Sequence, residues 1–322
     1  MQRILLVKTT SLGDVIHCLP AVSDVAAHFP KVRIDWVVEE PYAGIAALHP
    51  AVANVLPVAM RRWRKSLAAR GTWHEISDFK RRLAPEGYDR VIDAQGLVKS
   101  ALLARLAQGE RHGLDAASAR EGIATRTYKY RHHVPWTLDA VARNRRLLGL
   151  ALDYTPRGEP RYGIEVAPAD AGWLPQGAPR GYCVLLTGTS DAAKLWPEEE
   201  WLACARLASA GGLICMLVHG NDSEQARASR LAEGIAPNGM VAPRQSLADL
   251  ARVLAGAALV IGLDTGLTHL AAALGRPTVG IYSGSRPSET GVVARRAVNV
   301  GDLGRAPAAP AVWQAAAELL RD

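Results

Sequence analysis

Short runs of continuous apolar residues recur along the chain, each closed by a polar or glycine-containing stretch and followed by a helical pattern. Ile4–Val7, Arg33–Val38, Val52–Val58 and Tyr88–Ala94 predict four strands in the first half. Tyr182–Leu186, Leu213–Val218, Ala258–Leu263 and Thr278–Tyr282 predict four in the second. Runs without alternation mark strands covered on both faces, as in parallel sheets. Helices are predicted from Val15 onward, over Leu97–Leu106 and Glu198–Ala208, ending at Glu233, over Ser246–Ala255 with Ser246 as cap, over Leu270–Leu274, and finally over Ala311–Leu320. Strand and helix alternate in both halves, which predicts an α/β protein of two doubly wound domains.

Between the halves, residues 154–180 carry Pro156, Pro160, Pro168, Pro175 and Pro179, a composition that suits an interdomain linker. The boundaries read from this are 1–165 for the first domain, 166–180 for the linker and 181–305 for the second. Residues 306–322 form a C-terminal helix free to pack back on the first domain.

The chain has 322 residues, 49% of them hydrophobic, enough for two real cores. Arg3–Lys8 enters a strand with no signal-peptide pattern ahead of it, and no stretch is apolar enough to span a bilayer. Cys18, Cys183, Cys204 and Cys215 lack metal-ligand spacing and sit in apolar surroundings, so they read as buried thiols of a cytosolic protein. Charge changes the picture more. Residues 1–160 hold 24 Lys/Arg against 16 Asp/Glu, a net +8; residues 161–322 hold 14 against 15, a net −1. This implies an anionic partner for the first half: nucleic acid, anionic lipid or an acidic sugar. That half's densest stretch, residues 61–82, includes Arg61-Arg62-Trp63-Arg64-Lys65 and Trp73, and reads as an anion-binding surface.

Candidate chemistry gathers where strands end. Asp14 follows the first strand at a helix start, where it could cap the helix or act as a general base. Asp264-Thr265-Gly266-Leu267-Thr268-His269 lies between a buried strand and a helix, the place where open α/β sheets bind ligands and where a helix N-terminus favours an anion. No Walker loop, GxGxxG fingerprint, HExxH or GxSxG is present. A diphosphate would be held by Lys194, hydroxyls and a helix N-terminus, without a metal site.

Six stretches together resemble a known family: Val7–His17, Trp36–Glu40, Arg61–Lys65, Val91–Ser100, Lys194-Leu-Trp-Pro-Glu198 and Asp264–His269. They are similar to the ADP-heptose:lipopolysaccharide heptosyltransferases, glycosyltransferase family 9, over nearly the whole chain, and to the type that adds the first heptose. The resemblance implies the GT-B fold, two Rossmann-like domains facing a central cleft, the first binding acceptor and the second the nucleotide sugar. It implies transfer of heptose from ADP-L-glycero-β-D-manno-heptose to the inner Kdo of Kdo2-lipid A with inversion, at the cytoplasmic face of the inner membrane. No cofactor and no nucleic acid is implied.

Carried over by position, Asp14 matches the family's catalytic base and Lys194 the group that neutralises the departing diphosphate. Thr189, Ser190, Glu224, Asp264, Thr265, Gly266 and His269 match donor contacts. Ser11, Gly13, Arg61, Arg62, Arg64, Lys65 and Arg120 match acceptor contacts. Two other readings compete: a sister glycosyltransferase with another nucleotide-heptose or acceptor, and a non-catalytic binder of anionic glycolipid or nucleic acid. The binder gives Asp14 and Lys194 no task.

Overall fold

A computed structural model describes residues 3–83, 87–169 and 181–321. They divide into two compact units, parted between Ile164 and Glu165. Pro175 and Pro179 of the expected linker lie outside the described residues.

The first unit opens with strand β1 (Arg3–Val7), helix α1 (Leu12–His28) and β2 (Arg33–Glu39). The short α2 (Ala43–Ala46) leads to β3 (Val52–Val58), then α3 (Met60–Trp63) and α4 (Arg70–Arg82). After them come β4 (Tyr88–Asp93), α5 (Val98–Leu106), β5 (Gly109–Leu114), β6 (Tyr130–His132) and α6 (Ala140–Leu152). All pairings are parallel, in the order β3-β2-β1-β4-β5-β6.

The second unit repeats the plan. Strand β7 (Tyr182–Leu186), α7 (Glu198–Ala210), β8 (Ile214–Leu217), α8 (Asp222–Gly234), β9 (Gly239–Val241) and α9 (Leu247–Gly256) form one half. The other half is β10 (Leu259–Leu263), α10 (Gly266–Ala273), β11 (Thr278–Tyr282), α11 (Pro287–Thr290), β12 (Ala297–Gly301) and α12 (Ala309–Leu319). Its parallel sheet runs β12-β11-β10-β7-β8-β9, the same doubly wound order. In each sheet the order reverses once, between β1 and β4 and between β7 and β10. The loops after those strands lie at the switch point, where such sheets place ligands.

The central strands β7, β10 and β11 are buried at every residue, which is why their sequences are apolar without alternation. Strands β5, β6, β9 and β12 are not predicted by the apolar pattern. They lie toward the sheet edges and carry polar residues such as Glu110, Arg111, His112 and Asn299.

Two helix starts move. Helix α1 begins at Leu12 with Ser11 as its N-cap, so Asp14 is its third residue and not the cap. Helix α10 begins at Gly266, with Thr265 extended at φ −140° and ψ 161°, four residues before the predicted start. The last helix, α12, buries Ala309, Val312, Ala316 and Leu319 in the second unit's core beside Trp201 and Ala205 of α7. Its first amide, at Ala309, donates to Glu200 of α7 at 2.6 Å.

Candidate active site

In the first unit the chain leaves β1 through Lys8, Thr9 and Thr10. Ser11 then stands in extended conformation, and α1 starts. The Asp14 carboxylate folds back and accepts the Ser11 amide at 2.7 Å and its hydroxyl at 3.2 Å. Asp14 thus serves the helix N-terminus from its third position while staying partly open to solvent. The ammonium of Lys8 lies 3.8 Å from Asp14 Oδ1 and donates to the Ala94 carbonyl at 2.9 Å. Burial pushes the Asp14 carboxyl up. Lys8, the Ser11 amide, Arg120 and His17 outweigh it, and the group is held below its ordinary value. Asp14 is therefore a carboxylate at neutral pH, able to receive a proton.

The switch-point partner of that loop follows β4. Gln95 Oε1 accepts both the Thr9 and Thr10 amides, at 3.0 and 3.2 Å. Beneath it Asp93 is completely buried and accepts from the Gln95 and Gly96 amides, Ser100 Oγ and Tyr128 OH. Burial pushes the Asp93 carboxyl up in spite of these donors. Gly96 turns the chain there at φ +68°, a conformation that favours glycine. Lys99 Nζ donates to Thr10 Oγ1 at 3.1 Å. Lys8, Gln95 and Lys99 have no assigned role in the sequence reading. Lys8 and Gln95 lie in the loops after β1 and β4 and Lys99 in the first turn of α5, and all three fall within the stretches that carry the resemblance.

The basic segment divides by structure. Glu39, buried at the end of β2, accepts the Met60 and Arg61 amides and so caps α3. The side chains of Arg61, Arg64 and Lys65 are exposed. Arg62 is bound to Glu75 at 2.8 Å and to Glu40 at 3.2 Å. Trp63 is a core residue whose indole N–H donates to Glu75 at 2.6 Å, so it does not belong to the anion-binding surface; Trp73 is exposed. Arg120 is exposed in the stretch before the 3-10 turn Gly122–Thr127. Ser11 is exposed and Gly13 partly so, both at the start of α1.

In the second unit the centre is Asp264, at the end of β10. Its Oδ2 takes Lys194 Nζ at 2.7 Å and the Ser285 hydroxyl at 2.6 Å, with Thr290 Oγ1 at 3.3 Å; its Oδ1 faces His269 Nε2 at 3.4 Å. Burial raises the carboxyl, but His269, Lys194 and Ser285 outweigh it and hold it far below the usual carboxylate range. The turn carrying Lys194 is pressed against the loop after β11. A Cβ on Gly284 would lie 2.5 Å from the Ala193 carbonyl oxygen, so only glycine brings Ser285 this close.

The start of α10 presents the Gly266 and Leu267 amides ahead of the first helical bond, from the Thr268 amide to the Thr265 carbonyl. Thr268 Oγ1 ties this turn to the Leu263 carbonyl at 2.6 Å. Thr189 Oγ1 accepts the Asp191 amide at 3.3 Å, and Ser190 is exposed beside it. Glu224, in the first turn of α8, accepts the Gly220 amide at 2.7 Å. It lies against Gly188, where a Cβ would come within 2.8 Å of its Cδ. The structure thus gathers Lys194, Asp264 and His269, sets Glu224 against the loop after β7, and adds Ser285 and Thr290, which follow the neighbouring strand β11.

The sequence model of Glycosyltransferase family 9 (heptosyltransferase) matches residues 76–315. Lipopolysaccharide heptosyltransferase 1 of Pseudomonas aeruginosa is 47% identical over 308 residues, 93% of this chain and 84% of that protein. Among solved structures, E. coli heptosyltransferase WaaC with ADP superposes with a TM-score of 0.89 at 41% identity, over 99% of this chain and 100% of that one. WaaC with ADP-2-deoxy-2-fluoro heptose gives 0.86 at 41% identity, over 98% and 99% of the two chains. Two doubly wound units in one chain are the components expected of a GT-B enzyme. The chain belongs to glycosyltransferase family 9, the heptosyltransferases.

Proposed function

We propose that this protein transfers heptose from ADP-heptose to the inner Kdo of Kdo2-lipid A in lipopolysaccharide core synthesis, with inversion at the anomeric carbon. The observation that carries the reading is the 47% identity to Lipopolysaccharide heptosyltransferase 1 over 93% of the chain. A related enzyme solved with ADP and with a fluorinated ADP-heptose supports the donor.

In the proposed reaction, the acceptor hydroxyl attacks the anomeric carbon of heptose. Asp14 takes its proton as the new C–O bond forms. The bond to the diphosphate breaks on the opposite face, and ADP leaves with the electron pair. Lys194 and the amides at the start of α10 neutralise the departing diphosphate, with Thr189, Ser190 and Thr265 as hydroxyl donors. Asp264 aims the Lys194 ammonium, His269 braces Asp264, and Glu224 accepts from the ribose hydroxyls. Arg61, Arg64, Lys65 and Arg120, with Ser11 and Gly13 near the base, receive the phosphates and carboxylates of the acceptor. Arg62 joins them by exchanging Glu40 and Glu75 for acceptor anions. The leaving group is handled by these residues without a metal, so EDTA leaves the rate unchanged.

The test is ADP release from ADP-heptose and Kdo2-lipid A, with product mass rising by one heptosyl residue. Donor binding without ADP release would overturn it.

A further inference from the structure

Right-handed crossovers decide which helices share a face of the first sheet. The connections β1 to β2 and β3 to β4 cross it in opposite directions, so α1 and α4 lie on opposite sides. Trp63 of α3, Phe79 of α4 and Leu103, Ala104 and Ala107 around α5 share one core cluster. Helices α3, α4 and α5 therefore form one layer, and α1 packs with α6.

The outer surface of the α3–α5 layer is unusual. On α5, Val98, Leu102 and Leu106 recur at every fourth position and are 38%, 52% and 40% exposed. Ile123, 61% exposed, extends this stripe from the 3-10 turn that packs on α5 through Ala101, Ala124 and Tyr128. A second apolar tip lies at the start of α4. Trp73 and Leu67 are 58% and 54% exposed, and the Trp73 indole N–H donates to the Leu67 carbonyl at 2.9 Å. Thr72 Oγ1 donates to the Ser66 carbonyl at 2.8 Å and fixes the same turn. The indole thus shows its ring outward with its polar atom already satisfied. Among the described residues, α1 and α6 themselves carry no large hydrophobic side chain exposed in this way, and on their side Trp136, 53% exposed, lies against the guanidinium of Arg143 of α6.

Exposed cations surround both clusters: Arg61, Arg64, Lys65, Arg70, Arg105 and Arg126. Neighbouring acids are engaged. Glu75 holds Arg62, Asp78 holds Arg81, and Glu121 accepts the Val98 amide.

We infer that this layer is a docking face for an anionic phospholipid bilayer. Leucine, isoleucine and tryptophan interleaved with long cations suit the bilayer interface, where apolar groups enter the headgroup region and Arg and Lys snorkel to the phosphates. A protein interface concentrates apolar area in a core depleted of charge, which this surface does not do. The start of the stripe is tied to the loop that leads to the candidate base. Lys99, next to Val98, donates to Thr10 of the loop leading to Asp14. Docking through α5 sets that loop at the level of the headgroup sugars. The inference rests on the reading that the acceptor is membrane-embedded.

The test is vesicle co-sedimentation without any lipid A. Vesicles of phosphatidylglycerol and phosphatidylcholine are compared with phosphatidylcholine alone, for wild type, L102Q/L106Q, R105Q/R126Q and, as a control, L207Q on α7. Wild type and L207Q are expected to bind the anionic vesicles in a salt-sensitive way and to bind phosphatidylcholine weakly. Both double variants lose at least roughly tenfold in vesicle affinity, yet turn over an acyl-free Kdo acceptor as wild type does. That last readout separates loss of docking from loss of folding. Wild type that ignores anionic vesicles, or double variants that bind them as wild type does, would overturn the inference. So would a wild-type dimer that L102Q/L106Q converts to monomer with no vesicle binding in either form. Salt-sensitive vesicle binding lost in both double variants, with no heptose transfer to any Kdo acceptor, upholds the docking face and refutes the proposed function alone.

Discussion

Lys194 Nζ lies 2.7 Å from Asp264 Oδ2, linking the turn after β7 to the end of β10. The pair aims a cation at the site proposed for the donor diphosphate. Replacing Lys194 by Met is expected to lower kcat by roughly 10²–10³, as for other losses of a transition-state charge contact. Single-turnover kinetics at saturating donor measure this; an unchanged rate would remove Lys194 from the leaving-group role.

Asp264 connects the same pair to stability. Its carboxyl is held far below the usual range by His269, Lys194 and Ser285 against the effect of burial. A carboxylate with a depressed folded-state pKa adds stability above its unfolded value of about 3.9 and loses it as pH falls toward the folded value. Asp264→Asn should therefore cost about 1–3 kcal/mol at pH 7. The gap to wild type in urea unfolding should narrow as pH drops below about 4. A gap independent of pH would contradict the assignment.

Lys8 performs the corresponding service for Asp14. Without its ammonium, the largest influence that lowers the Asp14 carboxyl is lost, and the carboxyl rises from its wild-type value. In Lys8→Met the acid limb of the kcat/KM profile should move to higher pH than in wild type. A profile that keeps its acid limb would show that Asp14 does not set it.

Gln95 holds the Thr9 and Thr10 amides and so sets the path of the chain into Asp14. Gln95→Ala should lower kcat by up to roughly 100-fold through misplacement of the base. Donor affinity, measured by calorimetry, should stay at the wild-type value, because the proposed donor residues all lie in the second unit. Equal losses in both would point to general unfolding.

Much of this was legible in the chain. Continuous apolar runs marked the buried strands because both their faces are covered, and the residues just past β1, β7 and β10 were singled out from position. What escaped depends on partners distant in sequence. Lys8 looks like a loop cation, but it is buried against the Ala94 carbonyl, 86 residues away. Arg62 looks like a free cation, but Glu40 and Glu75 hold it. Trp63 looks like part of a binding surface, but it fills the core beneath α4. Strand β5 escaped because Gly109–Leu114 lacks the apolar run of a central strand. A cap stood beside the base as a reading of Asp14 because Leu12-Gly13 resembles loop sequence, whereas Ser11 is the N-cap and the helix starts at Leu12.

The thiols offer an independent check of the cores. Cys18, Cys183, Cys204 and Cys215 are free and buried. Burial raises Cys18 and Cys204 to about 12 and Cys215 to about 11. Native protein should show no rapid reaction with a thiol-disulfide reagent at pH 8, and all four cysteines should react in denaturant. Fast native labelling of any of them would contradict the packing.

The most direct measurement compares Asp14→Asn with wild type in single-turnover ADP release, alongside donor binding. Asparagine keeps the size of the side chain and an oxygen for the Ser11 amide but cannot take a proton. The account predicts unchanged donor affinity and a rate lower by at least roughly 10². A variant that binds donor and turns over at the wild-type rate would contradict it, leaving Asp14 as a residue that only braces the start of α1.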